Sequence, residues 1–117
     1  IPGAAGTAEE KFLAAELAKK NKQLDLFSPD GFNAALMVAR AASANPARDN
    51  VNRMIKALEG WSFNSVKGRH TIRKDDHALI QPMFRAALIR QGREWNPVRL
   101  ATVQGVTPPI VTTTPFK

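Results

Sequence analysis

Three helices followed by a short antiparallel strand segment are the predicted fold of this sequence, and two observations predict it. Up to Gly60 the apolar residues recur three and four apart, and after it they alternate. The turn-forming residues punctuate the chain at the matching places. An α-then-β order of this kind is odd for a self-contained doubly wound sheet.

Residues 1–6 are a Gly/Ala/Pro lead-in. Thr7-Ala8-Glu9-Glu10 then reads as a capping box, Thr7 at the N-cap and Glu10 reaching back, so a first helix is predicted from Ala8 to Asn21. Phe12, Leu13 and Leu17 give it one apolar stripe, and Lys19, Lys20 and Lys22 suit its negative C-terminal end. The second helix starts at Ser28-Pro29, with Ser28 as N-cap, Pro29 at the first position and Asp30 in the positive first turn. Phe32, Ala35, Leu36 and Ala39 form its buried face, and its other alanines imply close packing against neighbours. Asn45-Pro46 opens a third helix carrying Val51, Met54, Ile55 and Leu58, which Gly60 ends as the C′ residue.

Beyond Gly60, Trp61 and Phe63 alternate around Ser62. Arg69–Arg73 is a short strand after a Lys67-Gly68 turn, Met83–Arg90 a stronger one, and Val98–Val103 its return partner after Gln91-Gly92. Residues 1–103 read as the ordered segment, and 104–117 as an extended Pro/Thr-rich tail.

The chain has 117 residues, one domain at most; 44% are hydrophobic, enough for a modest core. The net charge of +7 favours acidic partners. No run of five or six like charges exists, nor a basic stretch interleaved with aromatics, so single-strand nucleic-acid binding has no signature. The absence of cysteine excludes disulfides, thiolate metal sites and a cysteine nucleophile. No apolar run approaches the ~20 residues of a membrane span. The first residue is not methionine, from which removal of an upstream portion is expected.

Catalytic signatures are missing: no P-loop, GxGxxG or GxSxG, and the glutamates lie on solvated helix faces or ends. No enzyme activity and no cofactor are expected. His70, Asp75, Asp76 and His77 are the one metal-like grouping, but Asp75-Asp76 equally makes a turn between strands. Trp61 and Phe63 offer stacking surfaces, although aromatics after a helix-ending glycine ordinarily close a core. The start of the second helix remains. Its free N–H groups and positive dipole end suit an anionic or carbonyl group, and Phe27 beside it can cover an apolar ligand surface. The alternative is a hydrophobic staple with routine capping.

The stretches "PGAAGTAEEKFLAAELAKKNKQLDLFSPDGFNAALMVARAA" and "VNRMIKALEGWSFNSVKGRHTIRKDDHALIQPMFRAALIRQG" resemble the C-terminal part of type I periplasmic solute-binding proteins, the leucine/isoleucine/valine-binding-like receptors of ABC importers. Phe32-Asn33-Ala34 stands where those receptors have a "YDA"-like helix start. Trp61 to Phe63, Gly68, Asp76-His77, Gln81-Pro82 and Gly92 fill the later pattern. The resemblance covers residues 2–103 and implies an α/β fragment of a two-lobed fold that closes on a small ligand, an amino acid or a carboxylic acid. It implies Phe27 as a cleft-lining residue, with Ser28 and Asp30 flanking it as further ligand-binding positions. It implies a bacterial periplasmic or secreted protein working with ABC transporter membrane subunits. Such a fragment exposes apolar surface and associates with the missing N-terminal portion or with itself. The rival reading is a freestanding small basic α+β module that binds nucleic acid or a protein partner. A nucleic-acid binder gathers its cations on one face, whereas a receptor fragment scatters them and exposes an apolar seam.

Overall fold

A computed structural model describes residues 3–110, and the chain forms α1 (Ala8–Ala18), α2 (Ser28–Ala44), α3 (Val51–Leu58), β1 (Ser62–Ser65), β2 (Gly68–Ile72), β3 (Leu79–Gln91) and β4 (Glu94–Val106). Three helices therefore precede the strands, as the periodicities predict. Among the described residues the strands number four, not three, and the last two are long.

Thr7 caps α1 as expected: its hydroxyl accepts the Glu10 N–H at 3.0 Å and donates to the Val66 carbonyl at 2.7 Å. Glu10 reaches past the cap, its carboxylate accepting from Ala5 N at 3.3 Å and Gly6 N at 3.0 Å. The regular helix stops at Ala18, three residues short of the predicted end. Lys22 N donates to Leu17 O and Asn21 N to Ala18 O, with Asn21 at φ 54°, which is a Schellman ending with asparagine in the glycine position. Phe12, expected on the buried stripe, is exposed.

The inward face of α2 differs from the predicted one. Asn33 and Ala41 are buried, whereas Ala35 and Ala39 face solvent. The reason is polar: the Asn33 amide oxygen accepts from the buried Ser65 hydroxyl, which turns that face onto β1. The start of α3 also moves. Asn45 ends α2 and its buried amide donates to Asn50 O at 3.1 Å, while Asn50 is the true cap, accepting Arg53 N–H at 3.1 Å. Gly60, at φ 72°, follows α3 as the C′ residue.

The strands form one antiparallel meander in the order β1-β2-β3-β4. Phe63 faces His70 and Ser65 faces Gly68 across the first pair. A two-residue turn, Gly92-Arg93, joins β3 to β4, which pair from Gln91–Glu94 to Gln81–Val106 with two register shifts. Pro82 falls in the first shift and Pro97 on the edge strand, the two settings in which a sheet tolerates proline. The Pro/Thr-rich stretch begins inside β4; residues 107–110 have no regular structure, and 111–117 lie outside the described residues.

The core is small. Phe63, Val66 and Ile72 form it on the sheet side, and Ala4 and Ala41 are the other buried apolar residues. Trp61 stacks on Phe63 at 4.3 Å and Phe63 on His70 at 5.4 Å, and the Arg40 guanidinium lies over Trp61 at 5.6 Å. These aromatics close the interior. Meanwhile the β3–β4 hairpin carries exposed Leu88, Ile89, Trp95 and Leu100. The radius of gyration is 17.4 Å, where a compact chain of this length has about 13 Å.

Candidate functional site

Asp25 governs the start of α2. Its Oδ1 accepts Phe27 N–H at 2.9 Å, Ser28 N–H at 2.7 Å and the Ser28 hydroxyl at 2.6 Å. In return the Ser28 hydroxyl oxygen accepts Asp25 N–H at 3.2 Å. This is a reciprocal box in which Asp25 is the capping side chain, so Ser28 is not the N-cap the sequence predicts. The bonds from Ser28 first, and then those from the Phe27 backbone, hold the Asp25 carboxyl below its ordinary pKa. The rigid box presents Phe27 outward, 72% exposed, on the first turn of the helix.

Beside that turn lies a cleft of about 200 Å³. Leu24, Asp25, Leu26 and Pro29 form one wall, Val66 and Lys67 of the β1–β2 turn a second, and Pro82, Met83, Phe84 and Ala86 of β3 a third; Glu10 contributes from α1. The three predicted site residues are arranged around this cleft without lining it. Phe27 projects from its rim into solvent, Ser28 is spent in the capping box, and Asp30 lies 3.7 Å from the Lys67 ammonium. Lys67 was legible only as half of a turn. Its side chain is 18% exposed, and its ammonium donates to Gln81 Oε1 at 3.2 Å.

Next to Val66 and Lys67 in the chain, Ser65 and His70 are buried together with Asn33 of α2, a polar layer that the hydrophobic periodicity does not reveal. His70 is fully buried, its Nδ1 donating to Gly68 O at 2.8 Å, while its Nε2 and the Asn33 amide nitrogen have no partner among the described residues. Burial is the main cause that lowers the His70 pKa, and the nearby Lys67 charge adds to it, both disfavouring the charged ring.

The metal-like grouping is not brought together. His70 lies in the interior against Phe63, while Asp76 and His77 sit in the β2–β3 loop. Asp76 is gripped by Arg73 through bonds of 2.7 and 2.5 Å, which hold its carboxyl down to about 2. His77, at φ 60°, meets Glu59 at 3.1 Å. Among the described residues no three such side chains converge. A second, apolar cavity of about 230 Å³ lies between Met37, Ile55, Leu58, Ile72 and His77.

Comparison with known proteins places this geometry. Residues 1–93 match the sequence model of a family described as periplasmic binding protein. An ABC-type branched-chain amino acid transporter from Rhodopseudomonas palustris CGA009 is similar in structure, with a TM-score of 0.77 and 24% identity over 89% of this chain and 29% of that one. A solute binding protein of an ABC transporter from Rhodopseudomonas palustris BisB5, solved with 3,4-dihydroxybenzoic acid, gives 0.77 and 18% over 92% of this chain and 30% of that one. A third solute binding protein from R. palustris, solved with 4-hydroxybenzoate, gives 0.74 and 16% over 85% and 28%. At these identities the likeness is one of fold. No curated protein matches. The chain spans about three-tenths of the length of the structures it resembles.

Proposed function

We propose a function from one premise: this chain belongs to the periplasmic binding protein family. On our reading it is part of the solute-binding component of a bacterial ABC importer, located in the periplasm or secreted. It holds and releases a small amino acid or carboxylic acid as a cleft closes, and no bond is made or broken. The ABC transporter membrane subunits receive the ligand. The observation that carries the reading is Phe27, a large aromatic held out in solvent by the Asp25–Ser28 box at the rim of a cleft. An exposed aromatic on a fixed helix start suits the apolar body of a ligand, and Ser28 and Asp30 flank it as polar neighbours.

The distribution of charge supports this reading over nucleic-acid binding. Cations occur at the end of α1, on α3, on β2 and along the β3–β4 hairpin, and are not gathered on one element. The test is calorimetric titration with 4-hydroxybenzoate and L-leucine. The Phe27→Ala variant is expected to weaken binding by about tenfold, the scale of one lost aromatic contact, while the far-UV spectrum stays unchanged. Unaltered affinity counts against the role of Phe27.

A further inference from the structure

We propose that Lys67 is the counter-ion for the ligand's carboxylate, and that the ligand's apolar body lies in the cleft between Leu26, Pro29 and Met83. The inference rests on the solute-binding reading and adds to it the polar end of recognition. The charged groups on the cleft wall are Glu10, Asp25 and Lys67. Both carboxylates are already satisfied by their own chain: Glu10 accepts the N–H groups of Ala5 and Gly6, and Asp25 those of Phe27 and Ser28. Lys67 is different. Of its three N–H groups one goes to Gln81 Oε1, and Asp30 Oδ1, at 3.7 Å, lies outside hydrogen-bond reach. A mostly buried ammonium thus keeps unspent donors at the edge of an apolar cleft. A charge in that position gains most from a carboxylate that brings both an anion and acceptors. Asp30 occupies the near edge of that position from the protein's own side, 3.7 Å from the ammonium, without spending its donors.

The lining also sets the class of ligand. Leucine, proline and methionine side chains offer no directional partner, so the part of the ligand that lies among them is apolar: an aromatic ring or a branched aliphatic chain attached to the carboxylate that meets Lys67. The volume of about 200 Å³ accommodates either, since a cavity near 150 Å³ holds benzene.

The experiment titrates the chain with 4-hydroxybenzoate and L-leucine, each paired with its uncharged-end amide, 4-hydroxybenzamide or L-leucinamide, and repeats the series with Lys67→Met and Lys67→Arg. The native chain is expected to favour one acid over its amide by roughly ten- to a hundred-fold, the range for a hydrogen bond to a charged group. Lys67→Met is expected to lose that preference and bind acid and amide alike, while Lys67→Arg keeps most of it. Which acid shows the effect tells an aromatic ligand from an amino acid. A preference that survives in folded Lys67→Met, or that is absent from the native chain although it binds, overturns the assignment of Lys67 and leaves the receptor reading in place. If the native chain binds neither acid nor amide, both fall together.

Discussion

Ser28 and Asp25 exchange hydrogen bonds in both directions, Ser28 N–H to Asp25 Oδ1 at 2.7 Å and Asp25 N–H to the Ser28 hydroxyl at 3.2 Å. The first turn of α2, the rim of the cleft and the exposure of Phe27 all follow from this pair. The positive end of the helix is covered by a carboxylate of its own chain, and a ligand meets the side chains around it instead.

Because Asp25 is the capping side chain, Asp25→Ala is expected to cost more than Ser28→Ala. The first removes an acceptor for two backbone N–H groups and a charge at the helix start; the second removes the hydroxyl's two bonds to Asp25 but leaves both backbone N–H groups capped. Thermal melts followed at 222 nm are expected to place Asp25→Ala several degrees below the native chain and Ser28→Ala between them. The reverse order would restore Ser28 as the cap.

The starts of α1 and α2 were legible in the sequence, that of α3 was not, and nor was the chemistry of the α2 start, for a reason visible at Asp25. A serine before a proline is so common an N-cap that it masks Asp25, three residues upstream with only leucine and phenylalanine between. The same bias hid Asn33. An apolar period places Phe32, Ala35 and Leu36 inside, and nothing local says that an asparagine finds a buried serine 32 residues away. Asn21 in the Schellman position hides the end of α1 from the sequence, since glycine is the ordinary signal there. Long-range features fared worst. Lys67 was legible as a turn residue, but its approach to Asp30 and Gln81 depends on how α2 and β3 pack around the β1–β2 turn. The register of β3 on β4 could be inferred from the turn at Gly92, yet the length of both strands could not, because Pro82 and Pro97 argue against continuous pairing until the register shift and the sheet edge are known.

His70 makes stability depend on pH. Its folded pKa lies below 6.5 because burial disfavours the charged ring. The unfolded chain therefore takes up a proton as pH falls through 6.5 while the folded chain resists it. The unfolded state binds more protons in that window, so stability is full above pH 6.5 and declines as the solution is made more acidic, until the folded ring protonates too. Urea denaturation at pH 8, 7, 6 and 5 is expected to give a falling unfolding free energy below pH 6.5. His70→Phe, which keeps an aromatic on Phe63, is expected to flatten that part of the curve. An unchanged slope in the variant would mean that another group carries it.

Gly68 holds φ at 121°, a backbone region where L side chains are strained, and a methyl group there would meet Pro82 Cγ at 3.3 Å. The close approach is what seats the β1–β2 turn, and Lys67 with it, against the first register shift of β3. Gly68→Ala is expected to destabilise the chain by about 1–3 kcal/mol, the range for a residue forced into a sparsely populated conformation. Denaturant titration at pH 7 measures it. Loss of the Lys67-dependent acid preference in the same variant would show that the turn positions the ammonium.

Leu88 and Trp95, 66% and 62% exposed, lie on one face of the hairpin, since Leu88 pairs with Pro97 and Arg90 with Trp95 across the ladder. Face and edge are both uncovered there: among the described residues β4 has no strand on its outer side, and Leu100 and Val103 are further exposed apolar side chains along the same strand. Free backbone donors beside such side chains are the ingredients of strand-to-strand association. The chain in isolation is expected to self-associate with rising concentration, which sedimentation velocity between micromolar and hundred-micromolar loading reads directly. Leu88→Glu puts a charge into the middle of that face without touching the cleft walls, so it is expected to move the population toward monomer while ligand titrations stay unchanged. A native chain that sediments as a single monomer across the range would show that the arginines of the hairpin, Arg85, Arg90, Arg93 and Arg99, repel strongly enough to outweigh its apolar face.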